Sequence, residues 1–178
     1  VFNLNTNGNL NITGVAYLNG YPVSTSGAST SLTPAANVAY DIGTPTMWWR
    51  NIYGTAIHAQ YADLAEKYLP DSDYEIGTVV SIGGTAEVTA CSTGDRAIGA
   101  VSANPAYMMN SNLKNGIYIA LKGRVPVKVN GPVVKGQRLI ASDWGCAQAI
   151  NGYDPNVFAI AIETNNNSGI NLVEALIL

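Results

Sequence analysis

Chemistry in this chain would have to come from few residues. Serine hydroxyls are plentiful between residues 72 and 142 (Ser72, Ser81, Ser92, Ser102, Ser111 and Ser142), but His58 is the only histidine. Nucleophilic catalysis needs a hydroxyl and a base within hydrogen-bond reach. His58 sits in a charge-poor stretch that reads as structural. Lys67, Lys114, Lys122, Lys128 and Lys135 stand in polar or alternating contexts typical of solvated faces. Paired carboxylates fare no better. Asp71 and Asp73 fall in Pro70-Asp71-Ser72-Asp73-Tyr74, which reads as a turn, and Asp95-Arg96 reads as a turn or a local ion pair. No phosphate loop, zinc spacing or calcium loop appears, so neither a metal nor a cofactor is expected. The chemistry that remains is recognition. Trp144 in Asp143-Trp144-Gly145 and Tyr153 in Asn151-Gly152-Tyr153-Asp154 are loop aromatics of the kind on which sugars stack. Tyr107 is a weaker candidate, because Met108 and Met109 beside it point to a core or a subunit contact.

The elements that must carry these residues are strands. The chain has 178 residues, 12% charged and 47% hydrophobic, with a net charge of −3. That hydrophobic share excludes disorder, and the low charge leaves Asn, Ser, Thr and Gly to make the surface. Tight turns and β-branched residues follow from such a composition. The acidic balance excludes a dedicated nucleic-acid partner. No run of 18 or more apolar residues exists, so membrane insertion is not expected. Val1-Phe2-Asn3-Leu4-Asn5 lacks the regions of a signal peptide, and a start without Met is compatible with a fragment or a processed product. Cys91 and Cys146 are compatible with one disulfide or with two buried thiols.

Residues 1–60 and 61–178 read differently. In the first part Asp41 and Arg50 are the only charged side chains. Leu10 and Ile12 alternate with Asn9, Asn11 and Thr13, Val15 and Tyr17 continue the pattern, and Asn19-Gly20 signals a turn. Strands this thin cannot bury themselves, so identical chains are expected to supply the missing faces. Ser24 to Ser31 is a low-complexity loop or crossover. Trp48, Trp49 and Tyr53 form an aromatic connector expected to pack where the stalk meets the tip. Tyr61 and Leu64 fit either a helix or an alternating strand over 57–68, and the β character downstream favours a strand or an irregular segment.

From Tyr74 onward strand signals recur at 78–82, 86–91, 97–102, 118–129, 138–141, 146–150, 158–162 and 172–178. Gly123 and Pro126 interrupt the longest run and mark a bulge or an edge. Seven or eight short strands predict a compact sandwich or barrel-like tip. Glu75-Ile76-Gly77-Thr78-Val79-Val80 is also echoed about sixty residues later by Val134-Lys135-Gly136-Gln137-Arg138-Leu139.

Three stretches carry a resemblance. They are Gly8-Asn9-Leu10-Asn11-Ile12-Thr13-Gly14; Asp41-Ile42-Gly43 through Trp49-Arg50-Asn51-Ile52-Tyr53 to Tyr61-Ala62-Asp63-Leu64-Ala65-Glu66-Lys67-Tyr68; and the tip segments Gly77–Val80, Ile98–Asn110, Ala120–Gly136 and Ala161–Thr164. Together they resemble the C-terminal regions of bacteriophage tail fibres and tailspikes, with a tip similar to the peptidase-G2-like, or intramolecular-chaperone, domain. The residues read as an all-β chain with a short intertwined β stalk (1–60) followed by the tip (61–178), and the resemblance implies that it is a homotrimer. It implies a virion protein, extracellular when functional, with other tail proteins as partners, and the loop aromatics make a host cell-surface glycan the expected ligand. In such relatives the tip helps three chains register and can cleave itself away. This chain offers no convincing base for that step, so a non-enzyme is the expectation.

Overall fold

The computed structural model describes residues 15–18, 21–24, 34 and 36–178. Two units are taken separately, Val1–Thr55 and Ala56–Leu178. In the first, β1 (Val15–Leu18) and β2 (Tyr21–Ser24) pair antiparallel with Leu18 opposite Tyr21. The expected turn at Asn19-Gly20, the strand at Leu10 and Ile12 and the loop after Ser24 lie outside the described residues. Further on, a Thr44–Met47 bridge closes a small turn, and Trp48 Nε1 donates to the Pro45 carbonyl at 2.9 Å.

The second unit holds β3 (Asp63–Tyr68), β4 (Val79–Ile82), β5 (Val88–Ala90), β6 (Gly99–Val101), β7 (Tyr107–Met109), β8 (Ile117–Asn130), β9 (Arg138–Ser142), β10 (Cys146–Ile150), β11 (Ala159–Ala161) and β12 (Ile170–Ile177). Five of them close on themselves. β8 pairs β12, β12 pairs β11, β11 pairs β9 and β9 pairs β10, all antiparallel, and β10 returns to β8 through a parallel Ala147–Val129 contact. Period two decides what fills this barrel. Val125, Val127 and Val129 on β8 meet Val173, Ala175 and Ile177 on β12, with Leu139, Ala141, Ala147, Ala159 and Ala161 completing the buried core. A closed barrel has no unpaired edge, and its narrow interior explains why so many inward positions are alanine.

β8 is long enough to serve two cores. Its first half pairs β6 and β3, and Ile119 joins Val80, Val88 and Val101 in a second cluster against Tyr68 and Tyr74. The β3–β8 ladder slips between Leu64 and Ala65, leaving Leu121 without a partner, and Gly123 has φ +104° two residues on. The expected bulge is therefore present. Pro126 is no edge residue: it pairs Glu174 within a ladder of eight residue pairs. It is tolerated because the neighbouring N–H groups of the same parity, Arg124 and Lys128, point away from β12, to Ala62 and Gly77 carbonyls. The missing donor is one β12 never needed.

Residues 63–68 form a strand, not a helix, because β8 on one side and β7 on the other take up their backbone groups. β7 itself carries no sequence signal and exists only through its parallel pairing with β3. The sixty-residue echo is structural. Gly77 N–H bonds the Val101 carbonyl at 2.9 Å, and Val101 N–H returns to Thr78 at 2.9 Å. Gly136 N–H bonds the Ala161 carbonyl at 2.8 Å, and Ala161 N–H returns to Gln137 at 3.0 Å. Each glycine has a positive φ, +83° and +91°, at the same place in a turn. β4–β5–β6 and β9–β10–β11 are thus two copies of one arrangement.

Cys91 and Cys146 are free and buried. Burial pushes the Cys91 thiol from 9.0 to about 11, with the Ser81 hydrogen bond acting in the opposite direction. Burial raises Cys146 as well. A thiol with a raised folded value contributes stability that is full below its unfolded value and is lost as pH rises toward the folded one. Stability should therefore fall between pH 9 and 11. Ellman titration at pH 8 should find neither thiol reactive until denaturant is added; two prompt thiols in the native protein would contradict the burial.

Candidate functional site

The nominated aromatics occupy different parts of the second unit. β9 ends at Ser142, and the chain reverses through a 3-10 turn, Asp143–Gly145, into β10. Trp144 takes φ 58°, ψ 34° there, a left-handed conformation rare for a bulky residue. Gly145 follows at φ +66°, and a Cβ on it would meet Thr78 Cγ2 at 2.5 Å, so the turn lies tight against β4. Gly145 N–H donates to the Cys91 carbonyl at 2.9 Å, and Thr93 N–H donates to Asp143 Oδ1 at 2.8 Å. The loop after β5 is thereby tied to the turn after β9. Its own bend is set by Asp95 Oδ2, which accepts Ser92 N–H at 2.8 Å. These contacts hold Trp144 outward, 78% exposed, beside exposed Ser92, Thr93 and Asp143. Thr93, through its N–H and then its hydroxyl, holds the Asp143 carboxyl below the usual carboxylate range. The result is an aromatic face flanked by hydroxyls and an anionic acceptor, a fixed surface suited to a polyol.

Tyr153 is 88% exposed in the loop beyond the other end of β10. The five residues of β10 separate it from Trp144 by about 17 Å of strand. No single sugar ring reaches both. Tyr107 lies on β7, outside the barrel, in a row with Met108 and Met109, all three exposed. The packing candidates Trp48, Trp49 and Tyr53 are exposed in the first unit, and Tyr61 and Leu64 are exposed at the start of the second.

The acids resolve into structural parts. Asp71 accepts the Tyr74 hydroxyl, whose oxygen in turn accepts Ala90 N–H at 3.0 Å; hydrogen bonds from Tyr74 and then Thr89 hold the Asp71 carboxyl low. Ser142 Oγ lies 3.5 Å from Gln148 Oε1, and His58 sits exposed in irregular chain. One feature escaped the sequence reading altogether: a cleft lined by Gln60–Asp63, Ile76, Ser102–Asn104, Arg124–Pro126 and Glu174. No linear motif marks it, because five separate segments meet there.

The fold is an all-β domain built on a closed five-stranded barrel, with Trp144 and Tyr153 exposed on its loops. No family model matches the chain, and no curated protein matches it. Solved structures do. The C-terminal fragment of bacteriophage phi29 gene product 12 superposes with a TM-score of 0.52 at 14% identity, covering 65% of this chain and 100% of the fragment. The pre-mature form of phi29 gene product 12 gives 0.57 at 14% identity, over 72% of this chain and 23% of that one. The likeness is one of fold.

Proposed function

We propose that this chain is a structural component of a phage tail fibre: a β stalk (1–60) and a distal tip (61–178), assembled as a homotrimer with other virion tail proteins and attaching to a host-surface glycan outside the cell. The observation that carries this reading is that 65% of this chain matches the whole length of the gene product 12 C-terminal fragment in fold. Exposed aromatics on the first unit (Trp48, Trp49, Tyr53) and exposed aliphatics on β12 (Ile170, Leu172, Leu176) are more than one chain needs outside, and neighbouring copies would cover them. Trp144 and Tyr153 would each face the receptor as separate contacts. Light scattering on the purified chain should return a mass near three chains; a monomer at micromolar concentration would sink the fibre reading.

A second reading has one point in its favour. The second neighbour is described as a pre-mature protein, and this chain spans 23% of it. The tip would then act as a self-cleaving intramolecular chaperone, registering three chains before release. Intact mass of a longer fibre after assembly separates the two, since a single uncut species excludes self-processing.

A further inference from the structure

Three Asn-Gly pairs fall among the described residues, Asn115–Gly116, Asn130–Gly131 and Asn151–Gly152; Asn7–Gly8 and Asn19–Gly20 lie outside them. Such a pair can react with itself. The backbone nitrogen of the glycine attacks the side-chain carbonyl carbon of the asparagine, and the missing Cβ leaves that approach free. The fold treats the three pairs differently. Asn130 lies in the β8–β12 ladder opposite Ile170, and Gly131 N–H donates to the Gly169 carbonyl at 2.8 Å. That bond must break before the nitrogen can attack. At Gly116 an added Cβ would stand 3.0 Å from Leu113 Cδ2 and 3.2 Å from Lys67 Cβ. Lys67 also fastens this loop, its Nζ donating to the Ser111 and Leu113 carbonyls at 3.1 and 3.4 Å. The backbone there has little room to close a ring.

Asn151–Gly152 is the open pair. It follows β10 directly, both residues are exposed, and a Cβ on Gly152 would meet nothing within 4 Å. Gly152 N–H has no backbone acceptor among the described residues. Two side chains from the start of β9 act on the pair. Gln137 Nε2 donates to Asn151 Oδ1 at 3.0 Å, which draws electrons from the carbon to be attacked. Arg138 Nη1 donates to the Gly152 carbonyl at 3.0 Å. Its guanidinium charge thereby stands beside the peptide nitrogen that must give up a proton, and favours the anion formed. A free nitrogen, a polarised amide and an adjacent cation meet at this pair alone of the three.

We propose that Asn151 is a site of spontaneous deamidation, with water as the co-reactant. The Gly152 nitrogen forms a bond to Asn151 Cγ as the Cγ–nitrogen bond of the side-chain amide breaks. Ammonia leaves with the proton that Gly152 gave up. Water then adds to either carbonyl of the five-membered imide and opens it to aspartate or isoaspartate, with no change of oxidation state. Both products place a carboxylate beside Arg138 and two residues from Tyr153. The isoaspartate form also lengthens the backbone by one carbon, which displaces the exposed Tyr153 ring. On the receptor reading of Tyr153 the converted chain carries an altered contact, but the deamidation itself does not rest on that reading.

The test is timed incubation of the full chain in mildly alkaline buffer, followed by peptide mapping that resolves each asparagine and separates aspartate from isoaspartate. Asn151 should convert to both products. It should do so about tenfold faster than Asn130, the rate equivalent of the backbone hydrogen bond that Gly131 must give up. Asn115 should also lag. In denaturant the three sites should convert at similar rates, because the fold sets the difference. Arg138→Gln should slow Asn151 by about fivefold, as the loss of one exposed charge at close range implies. Arg138→Lys keeps the charge and should keep the rate. An Asn151 that stays an amide, or that trails Asn115 or Asn130, overturns the proposal. So does an order of rates that persists in denaturant, an absence of isoaspartate, or an Arg138→Gln chain that converts as fast as the parent. The fibre reading survives any of these results, since it stands on assembly mass.

Discussion

Gly123→Ala should be the most damaging small substitution in the second unit, lowering stability by roughly 2–5 kcal/mol and the melting temperature on the order of 10 °C. Two costs add. The residue sits at φ +104°, a region that side chains strain to occupy. An added Cβ would also overlap the Ala62 carbonyl oxygen and approach Asp63 Cα to 2.9 Å. Both neighbours are backbone, so neither can swing aside. Relief would come only by parting β3 from β8, which also loosens the Arg124–Ala62 hydrogen bond and one wall of the cleft. Gly131→Ala is the internal control: its φ is +88°, but its Cβ would meet nothing within 4 Å. It should cost only the conformational part, about 1–3 kcal/mol. Thermal denaturation of both variants decides the matter, and equal losses would show that the close β3–β8 approach contributes nothing.

The second large effect should have opposite signs for binding and for stability. Trp144→Gly relieves a left-handed conformation that costs a bulky residue about 1–2 kcal/mol, offset in part by the greater freedom of glycine in the unfolded chain. The fold should therefore hold or gain up to about 1 kcal/mol. If the proposed glycan contact is made there, binding should fall about 30-fold, the weakening expected when an exposed aromatic anchor is lost. Trp144→Ala should lose binding to the same degree without the gain in stability. Tyr153→Ala should act independently, because the length of β10 lies between the two rings. Glycan-array binding that survives both Trp144→Ala and Tyr153→Ala would strike these residues from the receptor surface. A marked loss of stability in Trp144→Gly would instead mean that the ring is a packing element.

The β rhythm of the second unit was legible in the residues, since alternation along 118–129 and 172–178 follows directly from which side chains enter the barrel. The turn at Asp143-Trp144-Gly145 and the sixty-residue echo were legible too, because glycines and turn residues act locally. β7 was not: Tyr107–Met109 has no pattern of its own and becomes a strand only by lying along β3. The choice between helix and strand at 57–68 likewise waited on the partners of β3, because local spacing satisfied both periods.

The exposed loop aromatics and the cleft divide in the same way. The sequence by itself nominated Trp144 and Tyr153, since an aromatic among Asp, Asn and Gly is visible in one loop. Only the tertiary structure set them at opposite ends of a strand and joined Thr93 to Asp143 across 50 positions. It alone brought Asp63, Arg124 and Asn104 to one cleft. The reason is physical. Alternation and turn chemistry are properties of neighbours in the chain, whereas a cleft is made by pairing between segments far apart in it.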